Sequence, residues 1–229
     1  MVGFQVAIDG PAGAGKSSVA QGLARILTVA YIDSGAMYRS VTYMALKHGV
    51  PADDEQALQQ LVSDITIEFT MVNGVQRIFV GDHDVTEQIR SPQVSQHVAQ
   101  IAKSPVVRKH LVHLSQQLAK SSIGVVMDGR DIGTHVLPDA DVKFFLTATL
   151  EQRAKRRYDE LAAKGYAPSL EDLISDVAAR DKLDEQRSMS PLRPAKDAII
   201  LDTSCLTYEE VIAMVSALCR MREQQKEGR

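Results

Sequence analysis

Residues 5–18 read Gln-Val-Ala-Ile-Asp-Gly-Pro-Ala-Gly-Ala-Gly-Lys-Ser-Ser. The first five form a short apolar run closed by a turn signal, the pattern of a buried strand. Gly10 to Ser17 then match G-x-x-x-x-G-K-[ST] at every fixed position. Val19, Leu23, Ile26 and Leu27 recur beyond it at helical spacing. Strand, glycine loop and helix thus come in the order that a phosphate loop requires. Glycines let the backbone turn successive N–H groups inward, and the helix N-terminus adds partial positive charge. Gly10, Pro11, Ala12, Gly13, Ala14, Gly15, Lys16, Ser17 and Ser18 are therefore expected to bind a nucleoside triphosphate. Lys16 suits the β- and γ-phosphates, and the Ser17 hydroxyl suits Mg²⁺. The motif does not by itself separate kinases from GTPases or motors.

Outward from this loop, Ala30–Asp33 reads as a second strand, and Ser34 is expected to cap the helix carrying Tyr38, Val41, Tyr43 and Leu46. A short helix is predicted over 54–63. The pattern then switches to alternation of apolar and polar residues, with Asn73-Gly74 placed for a hairpin turn and Gly81-Asp82 for another. Helical spacing returns from Pro92 to Lys120, interrupted at Ser104-Pro105. Gly124–Met127, Val142–Leu146 and Ala198–Leu201 are continuous apolar runs, expected as strands covered on both faces. A charged helix is predicted over 150–164, and another after the box Ser169-x-x-Asp172. A last helix begins at Thr207-x-x-Glu210 and turns Val211, Val215 and Leu218 to one side, and residues 222–229 are expected as a solvated tail. Strands alternating with helices imply a five-stranded parallel α/β sheet, a P-loop NTPase core with helices on both faces and right-handed crossovers. The expected core is 1–63 with 105–229, and 64–104 is a small inserted region.

Composition narrows the class. The 229 residues are 45% hydrophobic, enough for a full core in one domain or one domain with an insertion. A net charge of −3 argues against a nucleic-acid or acidic-membrane partner, so local basic clusters need local causes. Cys205 and Cys219 lack metal-ligand spacing and read as free thiols of a reducing compartment. The first apolar run is broken at once by Asp9-Gly10-Pro11, so neither a signal peptide nor a membrane span is expected. A cytoplasmic monomer acting on small molecules is the resulting expectation.

The arginines carry the chemistry further. No N-K-x-D guanine-reading element is present. Instead Asp33-Ser-Gly-Ala-Met-Tyr38-Arg39 and Asp128-Gly-Arg130-Asp131 follow predicted strands, at the ends where ligands bind in open α/β sheets. Asp128 ends an apolar run in the Walker B manner, suited to Mg²⁺ or to capping the next turn; the two roles are compatible. Arg153, Arg156 and Arg157 share one helical face, as do Arg180, Asp184 and Arg187. Such faces are commonly just solvated, but phosphoryl transfer requires cations around the moving group, and a lid at about 150–190 would bring them. An acceptor that is itself a phosphate, with a second pKa of about 6, needs no general base.

IDGPAGAGKSS, YIDSGAMYR, DGRDIGTHVLPDADVKFFL and RDxxDxxRxxSPL, in this order and spacing, resemble the bacterial cytidylate kinases over about Gln5–Arg222. The resemblance implies a nucleoside-monophosphate-binding insertion, a lid, and transfer from Mg²⁺–ATP to CMP or dCMP. Together with the motif and the basic faces, Lys16, Arg130, Arg153, Arg157 and Arg187 are expected to serve transfer, and Ser17 and Asp128 the metal. The resemblance assigns Ser34, Tyr38, Arg39, Arg108, Arg130, Asp131, Arg180, Asp184 and Arg187 to the acceptor. Asp131 suits the cytosine N4 donor and Arg108 the ring acceptors. The family often has a serine nine residues before Arg108; this chain has Ala99, with Ser95 nearby. UMP, or a hydroxyl acceptor such as shikimate or dephospho-coenzyme A, is the rival acceptor. A hydroxyl acceptor leaves Arg108, Asp131 and Asp184 unexplained. A non-enzymatic nucleotide switch, the second rival, needs no second phosphate site.

Overall fold

A computed structural model of the chain describes residues 3–72, 75–163 and 165–227. Strand β1 (Phe4–Asp9) runs into the glycine loop and then α1 (Lys16–Leu27). Next come β2 (Ala30–Asp33), α2 (Ser34–His48) and α3 (Glu55–Asp64), followed by the hairpin strands β3 (Ile67–Val72), β4 (Val75–Val80) and β5 (His83–Asp84). After α4 (Pro92–Ile101) and α5 (Pro105–Ser121) the chain re-enters β6 (Gly124–Asp128) and β7 (Val142–Thr147). The charged helices α6 (Leu150–Ala163) and α7 (Leu170–Gln186), then β8 (Ile199–Asp202) and α8 (Tyr208–Glu227), complete it.

Five strands form one parallel sheet in the order β2-β6-β1-β7-β8, and β3-β4-β5 form a separate antiparallel sheet. The α/β fold expected from the alternation of strands and helices is therefore the one observed. β1 is central, with Val6 paired to Val126 on one side and Val142 on the other. The connection from β1 runs to the β2 edge, whereas that from β6 crosses over β1 to β7, which puts the switch point between the C-terminal ends of β1 and β6, beside the glycine loop.

The chain divides into two compact units, Met1–Tyr31 with Leu118–Arg229, and Ile32–Gln117. In the first, Val6, Ile8, Val126, Phe144 and Leu146 of the sheet pack with Val19 and Leu23 of α1 and Val211 and Val215 of α8. Cys219 is buried in this cluster, whereas Cys205 is exposed. In the second, Met37, Val41, Leu58, Val62, Ile78, Ile89 and Val98 are buried. Glu55 there accepts from the Ser104 hydroxyl at 2.9 Å, tying the start of α3 to the break between α4 and α5.

Four local expectations change. The cap of α2 is Asp33 rather than Ser34, because the Asp33 carboxylate reaches the Ala36 N–H at 2.8 Å and Ser34 is already helical. β8 is covered on one edge only: Ile199 and Ile200 are 41% and 62% exposed despite the apolar run. Ile26 of α1, expected on the buried stripe, is 40% exposed. The expected tail is helical to Glu227, anchored by Lys226 to Asp141 at 2.8 Å and by Arg222 to the Asp141 carbonyl. The Thr207–Glu210 capping box forms, with Thr207 N–H donating to Glu210 and Glu210 N–H to the Thr207 hydroxyl. The expected turn at Asn73-Gly74 and the helix end at Lys164 lie outside the described residues.

Leu23 is fully buried where α1 meets the sheet. Leu23→Ala is expected to lower the unfolding free energy by about 2–5 kcal/mol through lost transfer energy and a residual cavity, measured by denaturant unfolding.

Candidate active site

The glycine loop is held where backbone meets backbone. Gly10 has a φ of 144°, and a Cβ there would lie 1.9 Å from the Leu146 carbonyl oxygen, so only glycine lets the loop leave β1 against β7. Lys16, the first residue of α1, is buried and donates from Nζ to the Pro11 carbonyl at 2.7 Å. Burial, and then the charge of Arg130, hold its ammonium below the ordinary lysine range, while Asp128 opposes them. A cation in that condition gains on meeting an anion, because the anion replaces the lost solvation.

Asp128 ends β6 and is buried beside the loop. Its two carboxylate oxygens accept from Ser17 Oγ and from the Tyr31 hydroxyl, each at 2.8 Å. The resulting oxygen pair, Ser17 and Asp128, fits a hard divalent cation. Among the described residues no cluster of three or more His, Cys, Asp or Glu could form a cage. Mg²⁺, which keeps waters and takes its remaining ligands from phosphates, matches such a sparse donor set.

The lid helices supply cations in two ways. Arg153 of α6 is buried and donates to the carbonyls of Ala148 and Ala12 and to Asp181 of α7. It therefore braces the loop from behind and ties α6 to α7. Arg157 pairs instead with Glu160 on the solvent side of α6. Arg153 thus reaches the loop, while Arg157, half-buried, is held along its own helix. Further along α7, Asp184 pairs with Arg130 at 2.8 Å and with Arg187 at 3.6 Å, and Arg187 Nε donates to the Ser190 carbonyl. Burial alone would raise the Asp184 carboxyl, but Arg130, Arg187 and Arg180 hold it below the usual range. Lys16 feels the charges of Arg130 and Arg180, which disfavour its ammonium, and of Asp128 and Asp184, which favour it. All of them belong to the first unit, as does Asp131.

Ser34, Tyr38, Arg39 and Arg108 belong to the second unit. Arg108 is buried, stacks over the Tyr38 ring at 5.2 Å from its centroid, and donates to the Ala102 carbonyl. Arg39 approaches Asp33 at 3.8 Å, and Ser34 is buried beside that cap. Two expected acceptor residues, Tyr38 and Arg108, are thereby brought into contact within this unit.

Three residues at the first unit's site carry no individual assignment from the sequence, although Arg156 shares the basic face of its helix. Tyr31 orients Asp128, as described. Arg156 donates to the hydroxyl and carbonyl of Thr203, whose hydroxyl in turn reaches the carbonyls of Thr147 and Ala14. Asp9 accepts the backbone N–H groups of Ile132 and Gly133 at 2.8 and 2.7 Å. Tyr31 and Asp9 lie inside the motif blocks quoted above, but the Asp9 and Arg156 bonds join segments far apart in sequence.

A sequence model described as cytidylate kinase matches residues 6–221. The cytidylate kinase of Bacillus pumilus (strain SAFR-032) is 50% identical over 212 residues, covering 93% of this chain and 94% of the relative. The cytidylate kinase of Bacillus cereus (strain B4264) is 49% identical over 215 residues, covering 94% and 95%. Among solved structures, an uncharacterised protein of Eubacterium ventriosum ATCC 27560 aligns with a TM-score of 0.52 at 10% identity. That alignment covers 95% of this chain and 98% of the other, a likeness of fold alone.

Burial pushes the Asp9 carboxyl up to about 6, against an ordinary value of 3.8, with the Gly133 and Ile132 N–H groups opposing the shift. The folded state therefore holds this proton more tightly than the unfolded chain. Its contribution to stability is fully present below about pH 4 and lost as pH rises through about 6. Asp9→Asn cannot titrate, so its unfolding free energy relative to the unsubstituted chain should improve by about 3 kcal/mol between about pH 4 and pH 7. Paired denaturant titrations across that range measure it; a constant difference would contradict it.

Proposed function

The chain belongs to the cytidylate kinase family, and we propose from that premise that it transfers the γ-phosphoryl group of ATP to the phosphate of CMP or dCMP. The products are ADP and CDP or dCDP. The observation that carries the reading is the buried Lys16 of the glycine loop next to the Ser17–Asp128 pair, with Arg130 and Arg187 held on Asp184, on a chain half identical to named cytidylate kinases. In-line transfer forms a bond between an acceptor phosphate oxygen and the γ-phosphorus, and breaks the bond from that phosphorus to the β–γ bridging oxygen. The bridging electrons leave with ADP.

Little covalent chemistry falls to the protein, because the acceptor oxygen is already anionic near neutrality. Alignment and charge compensation are its task. The N–H groups of residues 10–18 and Lys16 would hold the donor phosphates, and Arg130, Arg153, Arg157 and Arg187 would meet the moving charge. Ser17 and Asp128 would hold Mg²⁺, which supplies additional neutralisation when bound. We assign the acceptor phosphate to Arg39, Arg130 and Arg187, with Ser34 and Tyr38 lining its pocket. Asp184 and Arg180 are assigned to the sugar, and Arg108 with Asp131 to cytosine. Residues 64–104 would form the monophosphate-binding insertion and 150–190 a lid, in a protein acting as a monomer. No helix among the described residues is long and apolar enough to cross a membrane.

A coupled ADP-release assay with CMP, dCMP, UMP and AMP tests the assignment. CMP and dCMP should be the best acceptors, and faster turnover of AMP than of CMP would overturn it. Asp131→Asn offers a donor to the uracil O4, so the CMP/UMP ratio of kcat/KM should fall at least about tenfold, the worth of one good base contact. Lys16→Ala should lower kcat by about a hundredfold or more while CMP binding, followed by calorimetry, changes little.

A further inference from the structure

Asp9 is assigned to neither substrate, yet it is 3% exposed and both of its carboxylate oxygens are engaged. Oδ1 accepts from Ile132 and Oδ2 from Gly133, more than 120 residues away in sequence. Those two N–H groups open a single π-helical turn, Ile132–Val136, directly after Arg130 and Asp131. The first N–H groups of any helical turn lack partners within it. Here the Asp131 carbonyl, in the capping position, accepts from His135 and Val136, but its side chain does not cap the first N–H groups of the turn. Asp9 does so instead, from another strand.

The surrounding backbone leaves this bond little slack. A Cβ on Gly133 would lie 3.1 Å from Lys143 Cδ and 3.4 Å from Asp9 Oδ2, so the turn is seated directly on β1 and β7. One residue after Asp9, Gly10 is pressed on Leu146. The charged groups facing the carboxylate are Asp131, which repels it, and Lys16, which attracts it. Keeping an ionised carboxylate here is costly in a low-dielectric site. An uncharged side chain would serve packing alone, so a doubly accepting anion indicates a demand for fixed geometry.

We propose that Asp9 is a positioning residue for acceptor recognition: its carboxylate fixes the 132–136 turn and thereby the aim of Arg130 and Asp131. The proposal rests on the reading of Arg130 and Asp131 as acceptor-binding residues. Because Asp9 leads straight into the phosphate loop, one side chain sets the spacing between the donor-binding loop and the acceptor-reading turn.

Steady-state kinetics of Asp9→Asn test it, with CMP, UMP and ATP each varied and Asp131→Asn run in parallel. An amide keeps one acceptor and presents a donor to the other N–H, so the turn should loosen. The expected result is a rise of about tenfold or more in KM for CMP, a smaller CMP/UMP ratio, and a KM for ATP within about twofold. Should Asp9→Asn fail to fold, Asp9→Glu retains the charge but moves both oxygens by one methylene from the Ile132 and Gly133 N–H groups, and the same split is expected. Equal rises in KM for ATP and CMP would overturn the proposal, as would an unchanged CMP KM. An unchanged CMP/UMP ratio in Asp131→Asn alone would remove Asp131 from base reading. The CMP-selective KM effect of Asp9→Asn would then decide the positioning role of Asp9 toward Arg130 independently.

Discussion

Strand β1 is hydrogen-bonded on both sides, to β6 and to β7, and its last residues have no freedom to move without breaking two ladders. Parallel sheets are stable when both faces are covered, and Val6, Ala7 and Ile8 are fully buried. That burial fixes the point from which the phosphate loop departs. Gly10 then turns against Leu146, and Asp9 reaches across to the turn after β6. The loop, the Walker B carboxylate and the 132–136 turn thus take their positions from one strand end. The chemistry is placed by a sheet rather than by the flexible segments that follow it.

Charge is managed by pairing rather than by surplus. The chain carries a net −3, yet Lys16, Arg130, Arg153 and Arg187 crowd one region, each matched by backbone oxygens or by Asp128, Asp181 and Asp184. Buried pairs of this kind add little to folding stability, since desolvation offsets most of their attraction. Their value lies in holding rigid donors at defined places. On the proposed assignment, a phosphate arriving among them would exchange partners with carboxylates and carbonyls instead of stripping water from bare cations. Reorganisation during transfer is reduced accordingly.

The features legible in sequence are those written locally. The Gly10–Ser17 loop, the apolar strands and the Thr207–Glu210 box each declare themselves within a few residues, because their geometry follows from adjacent side chains. Asp33 displaced Ser34 as the cap of α2 because neighbouring polar residues compete for the same N–H and only the reach of the side chain decides. The exposure of β8 was hidden since an apolar run looks alike at a sheet centre and at an edge. Arg153 and Arg157 share a nominal face, but Arg153 finds Ala12 and Asp181 whereas Arg157 pairs with Glu160 on its own helix, a choice of partners that spacing does not reveal. The Asp9–Ile132 and Arg156–Thr203 bonds span distant segments and leave no periodic trace. Long-range polar contacts are what a single sequence conceals best.

The two thiols of the first unit differ sharply in chemical character. Cys219 is packed within the sheet–helix core, where burial pushes its thiol up to about 12. Almost none of it is thiolate at neutral pH, and the thiolate is the form that reacts with electrophiles. Cys205 is exposed, two residues past the Thr203 that braces Ala14 of the phosphate loop. A maleimide dye would therefore attach at one place without any residue being engineered away. The protein carries its own single-site reporter handle, a short step from the loop that grips the nucleotide.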